Sequence, residues 1–217
     1  MSSKLRIDLI ASLILKKAIA QREHVSACAE FCVALNLKTK VSAGVSDNFQ
    51  EFRRILLNKC QNEFNSLIKT RKHQEAMERE SDEDEQKPLG EHKKANKKRT
   101  LGLVRFIGEI YLKKLLVFRV IKYCIARLSQ SIDQHPIKSD FIEPLCELLK
   151  TIGNTIEKKE NEGGYVDSLF ERLEDLSNEL AENETLECRH GSIIIRDVIA
   201  LRQSGWEESN NEDNDHR

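Results

Sequence analysis

With 217 residues, the chain can bury one sizeable core or one elongated repeat array, but hardly two independent domains. Three Pro and nine Gly among many Leu, Ile, Glu, Lys and Arg supply helix formers and too few turn residues for a β-sandwich. The formal charge of -1 averages over segregated acidic and basic runs, so partners are to be read from local charge.

The first apolar stretch, residues 9–15, is broken by Ser12 and followed by Lys16 and Lys17. It reads as neither a signal peptide nor a membrane span. His24, Cys28 and Cys32 follow at i, i+4 and i+8 on one helical face. No fourth ligand stands at a useful spacing, so they are read as core packing and no metal is expected. The six Cys, at 28, 32, 60, 124, 146 and 188, are scattered singly among apolar residues. That pattern fits reduced thiols in a cytoplasmic protein better than a disulfide framework.

Amphipathic helical stripes come next. Phe52, Ile55, Leu56, Cys60 and Phe64 make the first. Residues 71–98 then carry an acidic cluster (Glu78, Glu80, Asp82 to Glu85) and a basic one (Lys93, Lys94, Lys97, Lys98, Arg99), and are read as a charged linker. Residues 101–116 are apolar on two sides, with Leu101, Val104, Gly108 and Tyr111 on one and Leu103, Phe106 and Ile110 on the other. A helix with that pattern is sandwiched between neighbours. Val117, Val120, Ile121, Cys124, Ile125 and Leu128 form another stripe, as do Phe141, Ile142, Leu145, Leu148, Leu149 and Ile152. Val166, Leu169, Phe170, Leu173, Leu176 and Leu180 form one more. Turn residues at 133–136 and 160–164 separate these stripes, and Ser139 and Asp140 are candidate N-caps. Helices starting near Leu101, Phe141 and Glu187 repeat every 40–46 residues or so, the period of a HEAT-type α-solenoid of antiparallel helix pairs. Residues 207–217 are polar and acidic and read as a disordered tail.

Four segments also carry a family resemblance: FRRILLNKCQNEF (52–64), RTLGLVRFIGEIY (99–111), LCELLKTIG (145–153) and RDVIALRQSGW (196–206). In this order they resemble the middle domain of eukaryotic translation initiation factor 4 gamma, the scaffold of the cap-binding complex, over residues 1–206. The resemblance implies an all-α HEAT-type solenoid of about four to four and a half repeats, with the family's first helix missing and the row Leu9, Leu13, Ile14 deprived of a neighbour.

In function, it implies a scaffold that binds the DEAD-box RNA helicase initiation factor 4A, RNA and other initiation factors. ATP chemistry would belong to the helicase, and no cofactor or catalytic residue is expected of this chain. The sequence holds no nucleophile elbow, Walker loop or zinc-protease motif. Candidate helicase contacts are Trp206, Arg202, Phe64, Phe106 and Glu109. Of these, Trp206 follows the last helix where the chain turns acidic, leaving little to cover its ring and suiting it to anchor an interface. Candidate RNA contacts are Lys93, Lys94, Lys97, Lys98 and Arg99, and without aromatic platforms the contact should be weakly sequence-selective. Departures from the family pattern fall at residues 28–32 (CAEFC) and 189–192 (RHGS). They keep two alternatives open: a related adaptor in nonsense-mediated decay or nuclear cap binding, and a degenerate paralogue with reduced helicase binding.

Overall fold

Apolar residues at three- and four-residue spacing, in runs nearly free of Gly and Pro, leave these segments one economical way to bury their side chains and satisfy their backbones. The computed structural model describes residues 3–41, 46–78, 86–134, 140–160 and 162–207, and no strand occurs among them. The helices are α1 (Ser3–Ala20), α2 (Val25–Val41), α3 (Ser46–Glu78), α4 (Gln86–Leu112), α5 (Phe118–Gln134), α6 (Ile142–Glu160), α7 (Tyr165–Ala181) and α8 (Leu186–Gln203). No helix is long and apolar enough to cross a membrane among the described residues.

Polar contacts between helices establish the layout. Lys97 pairs with Glu143 and Arg105 with Glu147, so α4 and α6 run parallel. The Arg202–Glu157 pair and the approach of Ile142 to Gly191 set α8 parallel to α6. In the second layer, Lys59 pairs with Asp8 at 2.9 Å, Tyr123 Oη donates to Asn65 Oδ1 at 3.0 Å and Arg172 pairs with Asp133. These contacts link α1, α3, α5 and α7 in turn. Between layers the direction reverses: Arg53 Nε donates to the Leu115 carbonyl at 2.8 Å while Arg99 meets Glu63. Ser177 near the end of α7 meets Ser192 in the second turn of α8. Two layers of parallel helices, antiparallel to each other, make an α-solenoid. Its tighter hairpins are α3/α4 and α7/α8, one helix out of step with pairs that start at α4 and α8.

α4 is the inner helix that its two-sided pattern predicts. Thr100, Leu103, Val104, Phe106, Ile107, Ile110 and Tyr111 are all buried, and α1, α2, α3, α5 and α6 all pack on it. At Gly102 the α1 backbone comes so close that an added Cβ would overlap the Ile19 carbonyl. The helix stops at Leu112 rather than continuing to residue 116. Lys114 takes a left-handed φ of 61°, and the bonds from Leu115 N to Ile110 O and from Lys114 N to Tyr111 O form a Schellman closure. This turns Leu115 and Leu116 into the core as loop residues.

Backbone helix also extends through 71–78 and 86–98, so much of the expected charged linker continues α3 and α4. Glu, Lys, Arg, Gln and Ala favour helix whether or not they can bury anything, which is why charge alone misplaced the boundaries. Residues 79–85, the turn residues 135–136, Ser139 and the tail from 208 lie outside the described residues. At the N-terminal end Ile14 is buried, whereas Leu5, Leu9 and Leu13 of α1 are exposed.

Candidate partner-binding surface

The C-terminal end of the solenoid holds a compact polar and aromatic node. α8 closes with its own Schellman turn: Gly205 has φ 73° and Trp206 φ 67°, Gly205 N donates to Arg202 O, and Trp206 N donates to Leu201 O at 2.8 Å. Gly supplies the left-handed position without steric cost. The reversal folds Trp206 back over the bundle, where its ring meets Phe170 of α7 edge-on at 5.9 Å. It also covers Gly153 of α6 so closely that a Cβ there would enter the indole. The indole N–H donates to Glu157 Oε2 at 3.0 Å. Arg202 forks onto both oxygens of Glu157, at 2.7 to 3.1 Å, pairs with Asp167, and lies 4.6 Å from the centre of the Phe170 ring.

These charges reinforce each other. The Arg202 hydrogen bonds hold the Glu157 carboxyl below its ordinary range, and the indole N–H acts in the same direction. The Glu157 hydrogen bonds in turn push the Arg202 guanidinium up. Glu157 therefore stays ionised to a lower pH than an ordinary glutamate does. Trp206 is half-buried against α6 and α7, which corrects the expectation of an uncovered ring. Arg202 presents part of its guanidinium beside it.

The remaining sequence-predicted residues are placed unequally. Phe64 and Phe106 are 1% and 0% exposed: their rings belong to the core and offer no surface to a partner. Glu109 is half-buried on the outward row of α4. In the basic cluster, only the backbone of Lys93 is described, Lys97 is engaged with Glu143 and Arg99 with Glu63, and Lys94 and Lys98 are exposed. Arg99 also reaches a groove of about 700 Å³ between α1, α3 and α4, whose rim carries Lys16, Lys59, Asn62 and Glu63. Lys97 meets Glu143 at the start of α6 and Arg202 meets Glu157 near its end, so the basic cluster and the C-terminal node form no single site.

Sequence reasoning missed the partners of the node. Glu157, Asp167 and Phe170 carry no motif, and only the fold brings them to residues 202–206. Elsewhere, burial pushes the Cys32, Cys124 and Cys146 thiols up to about 12, so they are neutral, poorly nucleophilic packing groups. No group of three or more metal-ligating side chains comes together among the described residues.

Replacing Trp206 by Ala removes the cover from Phe170 and Gly153 and leaves Glu157 with one donor fewer. The expected cost is about 3 kcal/mol, the lower end for truncated aromatics. For a chain of this size, that is a fall in Tm of roughly 6–12 °C. A thermal melt within about 2 °C of the parent would show that the ring does not pack.

Comparison with known proteins agrees with this architecture. Residues 1–196 match the model of the MIF4G domain family. Among curated relatives, melon eukaryotic translation initiation factor 4G is 31% identical over 201 residues, which is 92% of this chain and 10% of that protein. Mouse eukaryotic translation initiation factor 4 gamma 1 is 28% identical, covering 93% of this chain and 12% of its own length. The Arabidopsis thaliana factor 4G is 30% identical, with coverage of 92% and 11%. The chain thus spans about a tenth of the length of these relatives. Helical layers, burial pattern and a match over residues 1–196 lead to one statement: the chain belongs to the MIF4G domain family.

Proposed function

We propose that the chain is a cytoplasmic translation initiation scaffold that binds the DEAD-box RNA helicase initiation factor 4A, other initiation factors and RNA. The observation that carries this reading is the family match, which covers nearly the whole solenoid and whose relatives are named as initiation factors 4G. The chain contributes rigid surfaces, and the ATP chemistry belongs to the helicase. Of the candidate helicase contacts, Arg202 and Trp206 stand together at the C-terminal node, with Glu109 on the outward row of α4. A planar guanidinium held by two carboxylates beside an aromatic ring is pre-organised to meet a partner with little loss of side-chain entropy.

The test is the affinity of purified chain for initiation factor 4A, read by surface plasmon resonance. Specific binding is expected, and Arg202→Glu should weaken it by about tenfold or more if the node is central to the interface. Melts of the variant separate lost contact from lost fold. A folded parent that does not bind the helicase would overturn the reading and favour an adaptor in another RNA process, such as nonsense-mediated decay or cap binding.

RNA binding is proposed to be electrostatic and carried by the exposed part of the basic cluster, Lys94 and Lys98, with Lys93, Lys97 and Arg99 contributing. Counterion release makes such binding salt-dependent, at roughly 0.7 in log–log slope per single-strand phosphate contact. Converting Lys94 and Lys98 together to Ala should weaken unrelated RNAs alike and flatten that slope by roughly 1.4. An unchanged slope would remove these residues from the interface.

A further inference from the structure

The α4–α5 loop and α5 meet α3 at two points, and a space is left between them. At one, Arg53 Nε donates to the Leu115 carbonyl at 2.8 Å. At the other, Tyr123 Oη donates to Asn65 Oδ1 at 3.0 Å, and the Tyr123 ring lies 6.5 Å from that of Phe64. Along α3 these two points stand about 18 Å apart at 1.5 Å per residue. Between them is a cleft of about 340 Å³. α3 lines it with Leu57, Cys60 and Phe64, α5 lines it with Val120 and Cys124, and Ile107 of the inner helix α4 stands behind.

Size and charge together select an occupant. A partner helix, about 10 Å across, does not enter a space of this volume that is bridged at both ends. Sites for small molecules begin at roughly 300 Å³ and are apolar with a few polar groups at fixed places. Burial pushes the Cys124 thiol up to about 12 and the Cys60 thiol in the same direction, so the walls stay uncharged near neutrality. No carboxylate lines the cleft, and its exposed lining residues include Arg119, Asn58 and Gln61. The neighbouring cations are engaged elsewhere, Arg53 with the Leu115 carbonyl and Lys122 over the Phe118 and Tyr165 rings at 5.0 and 4.6 Å. Arg119 has no ion pair among the described residues. In the larger groove beside α1, by contrast, Lys59 and Arg99 are already neutralised by Asp8 and Glu63.

We propose that the cleft between α3 and α5 binds a small apolar acid, a molecule with a slender hydrocarbon body and one carboxylate. The body lies among Leu57, Cys60, Phe64, Val120 and Cys124, and the carboxylate meets the Arg119 guanidinium, with the Asn58 and Gln61 amides as further donors. The site shares no side chain with Arg202, Trp206, Glu109, Lys94 or Lys98, so it does not rest on helicase or RNA binding.

The experiment uses the full 217-residue chain and two probes with the same hydrocarbon body and opposite charge, decanoate and decylamine, both below their micellar concentrations. Isothermal titration calorimetry reads affinity, and methyl-region NMR reads location. Decanoate should bind saturably and more tightly than decylamine, and should shift the methyl signals of Leu57 and Val120. Arg119→Glu replaces an attraction by a repulsion, so it should weaken decanoate by about tenfold and invert the preference between the probes. Val120→Phe fills the cleft and should abolish binding of both. Each variant should keep the parent's circular dichroism and melting curve, since Arg119 is exposed and Val120 half-buried. Absence of saturable decanoate binding, equal affinity of the parent for both probes, or an unchanged preference in Arg119→Glu would overturn the proposal. So would a folded Val120→Phe that binds like the parent. Shifts confined to the exposed Leu5, Leu9 and Leu13 methyls would also overturn it, by placing the probe on α1.

Discussion

Between Thr100 and Tyr111, α4 keeps only a narrow outward row, Leu101, Arg105 and Glu109, because it is packed on both flanks at once. Its burial requires every neighbour to arrive at a set distance, and the tightest approach, the α1 backbone at Gly102, admits no side chain at all. Gly108 does the same for α6, where a Cβ would crowd the Thr151 side chain. Small residues at these positions let helices approach more closely than an ordinary side chain permits. The α4–α6 and α1–α4 contacts in turn orient both ends of the solenoid.

Those ends differ in chemistry. α1 exposes a mixed apolar and basic face, and the basic start of α4 lies alongside it. At the other end the outward face of α7 carries Glu171, Glu174, Asp175 and Glu179, all exposed, beside the Arg202–Glu157–Trp206 node. The helicase contacts proposed at the node and the phosphate contacts proposed for Lys94 and Lys98 use different side chains.

Much of the fold was legible in the apolar spacing, because a solenoid is built from local pairs whose buried stripes repeat along the chain. The inner position of α4 followed directly from its two-sided pattern. What escaped was non-local or sterically unusual. The cover of Trp206 comes from Gly153 and Phe170, far back in sequence, and a left-handed Gly205 redirects the chain onto them. Phe64 and Phe106 lie within segments shared with the family, yet shared sequence does not distinguish a contact residue from a core one, and burial places both in the core. The boundaries of the charged segment were misplaced because Lys and Glu form helix as readily as they solvate a linker.

The sign of one substitution tests whether α4 is held as described. In an exposed helix, replacing Gly by Ala stabilises by up to about 1 kcal/mol. At Gly102 the added methyl meets the Ile19 carbonyl, which as backbone cannot rotate away, so Gly102→Ala should cost at least about 2 kcal/mol through overpacking. Urea unfolding followed by far-ultraviolet circular dichroism reads the difference directly. The account predicts a lower midpoint for Gly102→Ala than for the parent, and a midpoint equal or higher would contradict it.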